Sequence, residues 1–181
     1  MTNEFHGLKR NRFFSGRTLT AEDLQLEQQY FRDRLKRHNL ALHGFGVVQG
    51  LEVTRKAGKI YLSPGLALDC AGNEIVVASK VALNLPADMN ERATVFIGLS
   101  YLDKEIEPIP GSGSGDSAPE NSIIQENFEV IFQAENSNRG HRHIKARWLA
   151  CGSAHALTIA KLRLSSGCWR IDRRYHRPAV R

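Results

Sequence analysis

The sequence is poor in cysteine and lacks the motifs of common catalytic and metal sites. The three cysteines, Cys70, Cys151 and Cys168, are odd in number and have no CxxC spacing, which argues against a disulfide framework and against a zinc site. We expect them to be reduced and buried as small apolar residues. The GxSxG, P-loop, HExxH and GxGxxG patterns are all absent from the sequence. The chain is therefore predicted not to be an enzyme and to use neither a cofactor nor a metal ion.

Long hydrophobic runs are also missing. No apolar run approaches the roughly 18 to 20 residues that are needed to span a bilayer, and the N-terminal sequence, MTNEFHGLKR, is polar. These features argue against a signal peptide and against membrane insertion, and they predict synthesis in the cytoplasm. An apolar content of 41% in 181 residues is sufficient for the core of one domain.

Three patterns that resemble binding sites have simpler explanations. His141 and His143 would share one face of a strand, but they follow an Asn-Arg-Gly sequence that is typical of a solvated basic turn. The sequence GSGSG at 111–115 does not lie between a strand and a helix N-terminus, so it is interpreted as a linker and not as a phosphate-binding loop. His38 and His43 lie near a helix end, where histidine commonly interacts with free carbonyl groups.

An amphipathic helix is predicted from about Ala21 to Leu42. Thr20 is a favourable N-cap with Asp23 three residues later, and Gly44 is the natural stop. The apolar stripe of this helix must be covered by another surface. Its members are Leu24, Phe31, Leu35 and Leu42.

After Gly44 the sequence has the short alternating or apolar runs that are typical of strands. Turn sequences separate these runs, notably Lys56-Ala57-Gly58, Ala71-Gly72-Asn73 and a Pro64-Gly65 pair suited to a type II turn. Asp69, next to the second of these turns, is expected to cap it through backbone hydrogen bonds. We predict a mainly β fold: an antiparallel β-sandwich of about eight to ten strands, the first five of them a meander, with one long N-terminal α-helix.

The predicted organisation has two parts. Residues 1–43 form an N-terminal extended segment and the amphipathic helix, and residues 44–181 form the β-sandwich. A flexible loop is predicted at about 103–122, because the sequence EIEPIPGSGSGDSAPENS is rich in glycine, serine, proline and charge.

Charge is segregated along the chain. Residues 138–181 contain eleven Lys or Arg and one acid, whereas residues 103–137 contain eight acids and one lysine. Such asymmetry indicates either an anionic partner for the C-terminal segment or docking of one region on another, within or between subunits.

The residues expected to contact partners lie around the helix and in the C-terminal segment. Phe13 and Phe14 precede the helix, and we predict that one is exposed and one buried, because adjacent residues of an extended segment face opposite ways. The candidate partner-contact residues are Phe13, Phe14, Leu19, Tyr30, Arg34, Arg37, Phe45, Trp169, Arg170, Arg173, Arg174, Tyr175 and Arg177.

The C-terminal arginine cluster has two interpretations. Trp169 and Tyr175 are interspersed with arginines, as in surfaces that stack nucleic-acid bases. However, the alternation of Trp169, Arg170 and Ile171 would bury Trp169 and Ile171 on one face of a strand, and no groove-reading element is recognisable. Docking on an acidic protein surface is therefore favoured, and binding of nucleic acid or another polyanion is the alternative.

Three separate patches resemble the N-terminal, shoulder-bearing part of the TssK family of type VI secretion baseplate adaptors, which is itself similar to receptor-binding-protein shoulders of tailed phages. These patches are FFSGRTLTAEDLQLEQQYFRDRLKRHNLALHGFGVVQGLEV, IYLSPGLALDCAGNEIVV and LTIAKLRLSSGCWRIDRRYHRPAV. The first two also resemble short proteins of extracellular phage-tail-like contractile injection systems. Together the patches cover nearly half of the chain.

The resemblance implies a non-enzymatic structural component of a phage-tail-like contractile injection system. It implies a baseplate or fibre-adaptor protein that forms a homo-oligomer, with a trimer as the expected state, and that docks on neighbouring baseplate, spike or fibre proteins. The product would be incorporated in a phage-tail-like particle. The chain departs from the family in having no counterpart of the helical neck or the C-terminal head, so functions that depend on those parts are not implied.

Overall fold

The computed structural model describes residues 7–86, 93–110, 118–138 and 155–180, and it shows a mainly antiparallel β fold with a single N-terminal helix, as predicted. Helix α1 spans Ala21–His38 and continues into a π-helical segment, Asn39–His43, which Gly44 ends with φ +75°. The strands within these ranges are β1 Gly46–Gly50, β2 Val53–Lys56, β3 Lys59–Leu62, β4 Gly65–Leu68, β5 Glu74–Val77, β6 Val81–Leu83, β7 Thr94–Ile109, β8 Glu120–Gln133, β9 Leu157–Ser165 and β10 Cys168–Ile171.

The described strands form three sheets, with the orders β1-β4-β5, β2-β3-β6 and β10-β9-β7-β8. The first six strands are therefore interleaved between two sheets, and the predicted meander is wrong. The chain changes sheet at Gly50-Leu51, where both residues have positive φ, and again at Ser63-Pro64. The Pro64-Gly65 pair consequently makes no type II hairpin turn, and Gly65 lacks the positive φ that such a turn requires.

Two glycines permit this crossing. Gly50 pairs with Gly65 across β1 and β4, and a Cβ atom on either would collide with the backbone of the other segment. The approach is stabilised by hydrogen bonds from the Leu51 amide to the Pro64 carbonyl (3.1 Å) and from the Ser63 amide to the Glu52 carbonyl (2.9 Å). Such close backbone contact is available only where side chains are absent.

The other predicted turns are confirmed. Ala57-Gly58 joins β2 to β3, with positive φ at both residues as two-residue hairpins prefer. A further turn of the same kind, Ser166-Gly167, joins β9 to β10. Asp69 caps the β4–β5 turn as expected. Its buried carboxylate accepts hydrogen bonds from the amides of Ala71 and Asn73, both at 2.8 Å, and from the Asn73 side chain at 2.7 Å.

All three sheets contribute to one hydrophobic core. Its fully buried aliphatic side chains come from strands of each sheet and from the crossing at Leu51. They are Leu51, Ile60, Leu62, Ile75, Val77, Val95, Ile97, Leu99, Leu157 and Leu162.

The predicted loop at 103–122 is wrong at both ends, because β7 continues to Ile109 and β8 begins at Glu120. Strand β9 pairs with β7 only as far as Leu99, so beyond that residue β7 and β8 form a two-stranded ribbon. We call residues 102–109 and 120–127 the β-arm. Its cross-strand partners include Ile106 opposite Ile123, and such β-branched pairs favour a strand where the Gly/Ser/Pro content suggested a loop.

The last residues of the chain return to β1. The Val47 amide donates to the Pro178 carbonyl (2.9 Å), and the Val180 amide donates to the Val47 carbonyl (3.1 Å), which makes a parallel bridge between Val47 and Ala179. Gly46 lies so close to Pro178 and Ala179 that a Cβ atom there would be 2.8 Å from the Ala179 carbonyl carbon.

Some predictions fall on residues that the structure does not describe. These are the histidines His141 and His143, the GSGSG linker and Cys151. Cys70 is buried as expected, but Cys168 is exposed, because it begins the edge strand β10.

Candidate interaction surfaces

The start of helix α1 is fixed by a capping box. The Thr20 hydroxyl accepts a hydrogen bond from the Asp23 amide (3.3 Å), and the Asp23 carboxylate accepts one from the Thr20 amide (3.2 Å). The extended segment before the helix is attached to the same place, because the Arg17 guanidinium pairs with the Asp23 carboxylate and the Asn11 side chain donates to the Asp23 carbonyl. These contacts give Phe13 and Phe14 a defined position beside the helix.

The C-terminal half of the helix is seated on the β4–β5 turn. Gly72 adopts φ +86°, and a Cβ atom there would lie 2.5 Å from the Lys36 carbonyl oxygen. The buried Asn39 side chain donates to the Gly72 carbonyl (3.1 Å), and the neighbouring Leu40 is also buried. The turn and the helix end therefore meet backbone to backbone.

A second attachment joins the helix to the root of the β-arm. The Arg32 guanidinium pairs with the Asp103 carboxylate at 3.0 Å, and the Tyr101 hydroxyl donates to the same carboxylate at 2.6 Å. The Tyr101 hydrogen bond, followed by Arg32, lowers the pKa of Asp103. Partial burial raises the pKa of Tyr101, and its bond to Asp103 raises it further.

These attachments leave the apolar stripe of the helix uncovered. Helix α1 has no buried residue, and each residue of the stripe has 51% to 59% of its surface exposed. We call this surface the helix face; it consists of Leu24, Phe31, Leu35 and Leu42. The sequence predicts that the stripe must be covered, and none of the residues described in the structure covers it. Large contiguous apolar patches on a soluble protein mark interaction sites.

Phe13 and Phe14 extend the apolar surface. Their side chains are 56% and 60% exposed, so the prediction that one would be buried is wrong. The segment has no sheet beneath it in the described chain, because it is attached to the helix through the polar side chains of Asn11 and Arg17. Leu19, just before the N-cap, is also exposed.

Tyr30 lies beside the helix face in a cluster of its own. Its ring meets Phe31 edge to face, with centroids 5.3 Å apart, and its hydroxyl accepts a hydrogen bond from Arg34 (3.3 Å). The Arg10 guanidinium lies 5.9 Å from the Tyr30 ring centroid. Arg34 and Arg37 are exposed near the helix end. At about 100° of rotation per residue, Arg34 lies to one side of the apolar stripe and Arg37 lies nearer the opposite side of the helix.

The remaining aromatic candidates face inward. Phe45 and Trp169 are partly buried against the core. Tyr175 accepts a hydrogen bond from Asn138 (3.1 Å), donates to the Thr158 carbonyl (3.1 Å) and meets the Phe96 ring edge to face. Because Trp169 and Tyr175 pack within the chain, they do not form the exposed stacking platform that base binding uses.

The C-terminal arginines separate into two groups. Arg177 docks on its own chain, where it donates to the Leu51 carbonyl (2.6 Å) and pairs with Glu52 (2.9 Å). Arg170, Arg173 and Arg174 are exposed, and no ion pair engages them within the described residues. We call these three residues the basic edge, because they lie on and just after the edge strand β10. Within the described residues, docking on the same chain therefore accounts for Arg177 but not for the three arginines of the basic edge.

The resolved ranges hold no group of three or more His, Cys, Asp or Glu that is able to bind a metal ion. The His38 and His43 rings meet edge to face, with centroids 5.6 Å apart, at the end of the helix. Within the same residues no helix is long and apolar enough to cross a membrane.

Comparison with known proteins finds similarity in structure. The chain matches no protein-family model and no curated protein. Its structure is similar to a chain of the baseplate complex from the type VI secretion system, with a TM-score of 0.56 and 14% identity over 96% of this chain and 60% of that chain. A chain of the TssK-TssF-TssG baseplate subcomplex gives a TM-score of 0.55 and 13% identity over 96% of this chain and 62% of that one. The crystal structure of TssK gives a TM-score of 0.54 and 14% identity over 92% of this chain and 41% of TssK.

The similarity extends over nearly the whole of this chain but over less than two thirds of each of those proteins. At 13–14% identity it is a similarity of fold. The resemblance predicted from the three sequence patches is therefore confirmed at that level, and this protein has a fold found in structures of the type VI secretion baseplate.

Proposed function

We propose that this protein is a non-enzymatic structural component of a phage-tail-like contractile injection system. It acts as a baseplate or fibre-adaptor protein, forms a homo-oligomer for which a trimer is the expected state, and docks on neighbouring baseplate proteins. It is synthesised in the cytoplasm and incorporated in the particle. Nothing in this role requires a cofactor or a metal ion.

One observation carries the proposal: the helix is firmly attached to the domain, yet its apolar stripe is exposed. The capping box, Asn39 and Arg32 hold the helix in place through polar and backbone contacts. Full burial of a Leu or Phe side chain contributes about 1.5 to 3 kcal/mol, so a partner covering the helix face gains several kcal/mol before the costs of association. A rigid helix that presents apolar anchors at helical spacing is a common recognition mode.

The fold supports the same role. Structures with this fold include a baseplate complex and the TssK-TssF-TssG subcomplex, so a domain of this architecture is found in assemblies of the proposed kind. Phe13, Phe14 and Leu19 lie next to the helix face and extend the surface that a neighbour would contact. Phe45, Trp169 and Tyr175 are partly buried within the chain, so they are not part of the contact surface that we propose.

The test is a co-purification experiment with the sheath, tube and baseplate proteins of the same system, together with light scattering to measure mass. Substituting Leu24, Phe31 and Leu35 by serine is expected to abolish co-purification. The thermal midpoint should stay within about 2 °C, because exposed positions contribute little to the free energy of unfolding. A monomer that binds no baseplate protein at high concentration would defeat the proposal.

The matched control uses the polar side of the same helix. Gln25 and Gln29 are exposed, and at about 100° of rotation per residue they lie off the apolar stripe. Their substitution by serine should leave co-purification intact, since it changes helix propensity similarly without removing apolar surface. Phe14→Ala is expected to weaken binding without lowering the thermal midpoint, whereas loss of a buried Phe would cost about 3 to 5 kcal/mol.

A second candidate function is binding of nucleic acid or another polyanion through the basic edge. The observation in its favour is that Arg170, Arg173 and Arg174 are exposed and engaged in no ion pair within the described residues. Binding to DNA or RNA should then weaken steeply as salt rises, because each phosphate contact releases counterions. Failure to retain either nucleic acid at low salt would remove this candidate.

A further inference from the structure

Among the described residues, the four-stranded sheet ends in two edge strands that carry opposite charge. Strand β8 forms one edge, and it contains Glu120, Glu126 and Glu129 but no lysine or arginine. Strand β10 forms the other edge and leads into the basic edge. An open strand edge can pair with another chain unless it is covered or charged.

The β-arm is acidic and only partly stabilised by its own chain. Of its acids, Asp103 is paired with Arg32, whereas the exposed Glu105, Glu107 and Glu120 have no ion pair in the described residues. A two-stranded ribbon is marginal in water unless it packs on another surface. Apolar side chains are nevertheless exposed along it, namely Leu102, Ile109, Ile123 and Ile124.

The basic edge is not neutralised by the acid next to it. Asp172 pairs with Lys161 (3.4 Å) and with Arg163 (3.0 Å), both on the neighbouring strand β9. The Asp172 carboxylate also accepts a hydrogen bond from the Arg174 amide (3.1 Å). The negative charge of Asp172 is therefore neutralised by residues of β9. The three arginine side chains of the basic edge form no ion pair within the described residues.

The β-arm and the basic edge of one molecule cannot reach each other. Strand β10 pairs with the end of β9, and Arg163 of β9 is opposite Thr94, at the start of β7. The β-arm lies at the other end of β7. Asp172, between the arginines of the basic edge, donates its amide hydrogen to the carbonyl of Lys161, which is opposite Phe96 of β7. At about 3.3 Å per residue, Glu105 of the β-arm is about 30 Å from Phe96 along that strand. The two complementary surfaces can meet only between molecules.

We propose that the β-arm of one copy docks on the basic edge of a second copy. The contact is head-to-tail, so each molecule uses its β-arm on one neighbour and its basic edge on another, and the series closes into a ring if the rotation permits. This inference rests on the self-association in the proposed function and names the surfaces that make it. The arginines supply charge complementarity, and the neighbour supplies cover for the exposed aliphatic side chains of the β-arm.

Charge reversal tests the contact in the full chain by analytical ultracentrifugation. The arm set is Glu105→Lys, Glu107→Lys and Glu120→Lys, and the edge set is Arg170→Glu, Arg173→Glu and Arg174→Glu. Each set alone is expected to weaken self-association by about tenfold or more, because like charges then face each other. A chain that carries both sets should regain association, because every contact then joins opposite charges again. Wild-type association should weaken as salt is raised.

The matched control is Arg55→Glu, Lys56→Glu and Lys59→Glu. These residues are exposed at the β2–β3 hairpin, and their reversal changes net charge by the same amount as the edge set. Association should be unchanged in this control. Thermal midpoints of all the variants should match wild type, which separates loss of contact from loss of fold.

Several outcomes would overturn the inference. It fails if the wild-type chain is strictly monomeric, if the control set weakens association as much as the edge set, or if the chain with both sets does not recover. It also fails if the edge set abolishes DNA retention but leaves self-association intact, which would assign the arginines to a polyanion. If the Leu24, Phe31 and Leu35 serine variant loses self-association while both charge sets keep it, copies join through the helix face. The proposed function then stands without this contact.

Discussion

Replacing Gly72 by alanine tests how closely the helix is seated on the sheets. Two costs are expected. Alanine at φ +86° is strained, which costs about 1 to 2 kcal/mol. Its Cβ would also lie 2.5 Å from the Lys36 carbonyl oxygen, whereas ordinary contact begins at 3.4 Å, so the backbones must separate by the difference, about 0.9 Å.

That separation disrupts the hydrogen bond from Asn39 to the Gly72 carbonyl, which is 3.1 Å long and buried. An unsatisfied buried polar group costs about 1 to 3 kcal/mol. The Gly72→Ala variant should therefore lose about 3 kcal/mol of unfolding free energy in total. For a domain of this size, each kcal/mol lowers the thermal midpoint by about 2 to 4 °C.

Gly167→Ala is the matched control. Gly167 has φ +70°, but no atom lies within 4 Å of the position that its Cβ would occupy. The control should show the strain alone, about 1 to 2 kcal/mol. Urea unfolding of both variants gives the comparison, and equal losses would refute the close approach of the helix to the β4–β5 turn.

Two further predictions concern carboxylates. Asp69→Ala should lower the unfolding free energy by about 3 kcal/mol in urea titrations, because the amides of Ala71 and Asn73 lose their acceptor; a loss below 0.5 kcal/mol would show that water replaces the carboxylate. Tyr101→Phe should destabilise the protein at neutral pH, because the Asp103 carboxylate loses its strongest hydrogen bond. The folded pKa of Asp103 is depressed, so the stabilisation is present above its unfolded pKa and is lost as pH falls through the folded value. The difference between wild type and variant should close below about pH 4, and a difference that persists unchanged at pH 2 would contradict this origin.

The local features of the chain were predictable because their causes are local. The helix boundaries follow from Thr20, Asp23 and Gly44, all of which act within a few residues. The hairpin turn at Ala57-Gly58 and the Asp69 cap also depend on neighbours in sequence. In each case the hydrogen-bond partners lie within five residues, so composition and spacing are sufficient.

The wrong predictions concern pairing between distant segments. An alternating apolar run predicts a strand, but it does not specify which sheet that strand joins. The interleaving of β1 to β6 depends on the close approach of Gly50 and Gly65, which are distant in sequence. The β-arm was obscured because the sequence between its two strands, 110–119, is rich in glycine, serine and proline, while Ile106 and Ile123 act only as a pair. The isoleucines on both sides of this polar segment were the sequence feature that indicated the two strands of the β-arm.

The sequence predicted which residues belong to the candidate site, but it did not predict which of them are exposed. The apolar stripe of the helix could be identified, but only the structure shows that the three described sheets leave it exposed. Phe13 and Phe14 were assigned opposite environments by the alternation of extended backbone, yet the segment packs through Asn11 and Arg17 and leaves both rings exposed. The inward position of Tyr175 depends on Asn138 and Thr158, which are remote in sequence.

The bridge between Val47 and Ala179 has a consequence for the order in which the protein is made. Strand β1 is among the first strands to leave the ribosome, but its outer hydrogen bonds require residues 178–180, which are synthesised more than 120 residues later. Contacts of such long sequence separation form late, and folding during translation proceeds from the N-terminus. The helix is therefore synthesised completely before β1 can form its hydrogen bonds with residues 178–180. During that time the apolar stripe of the nascent chain is accessible to partners or chaperones.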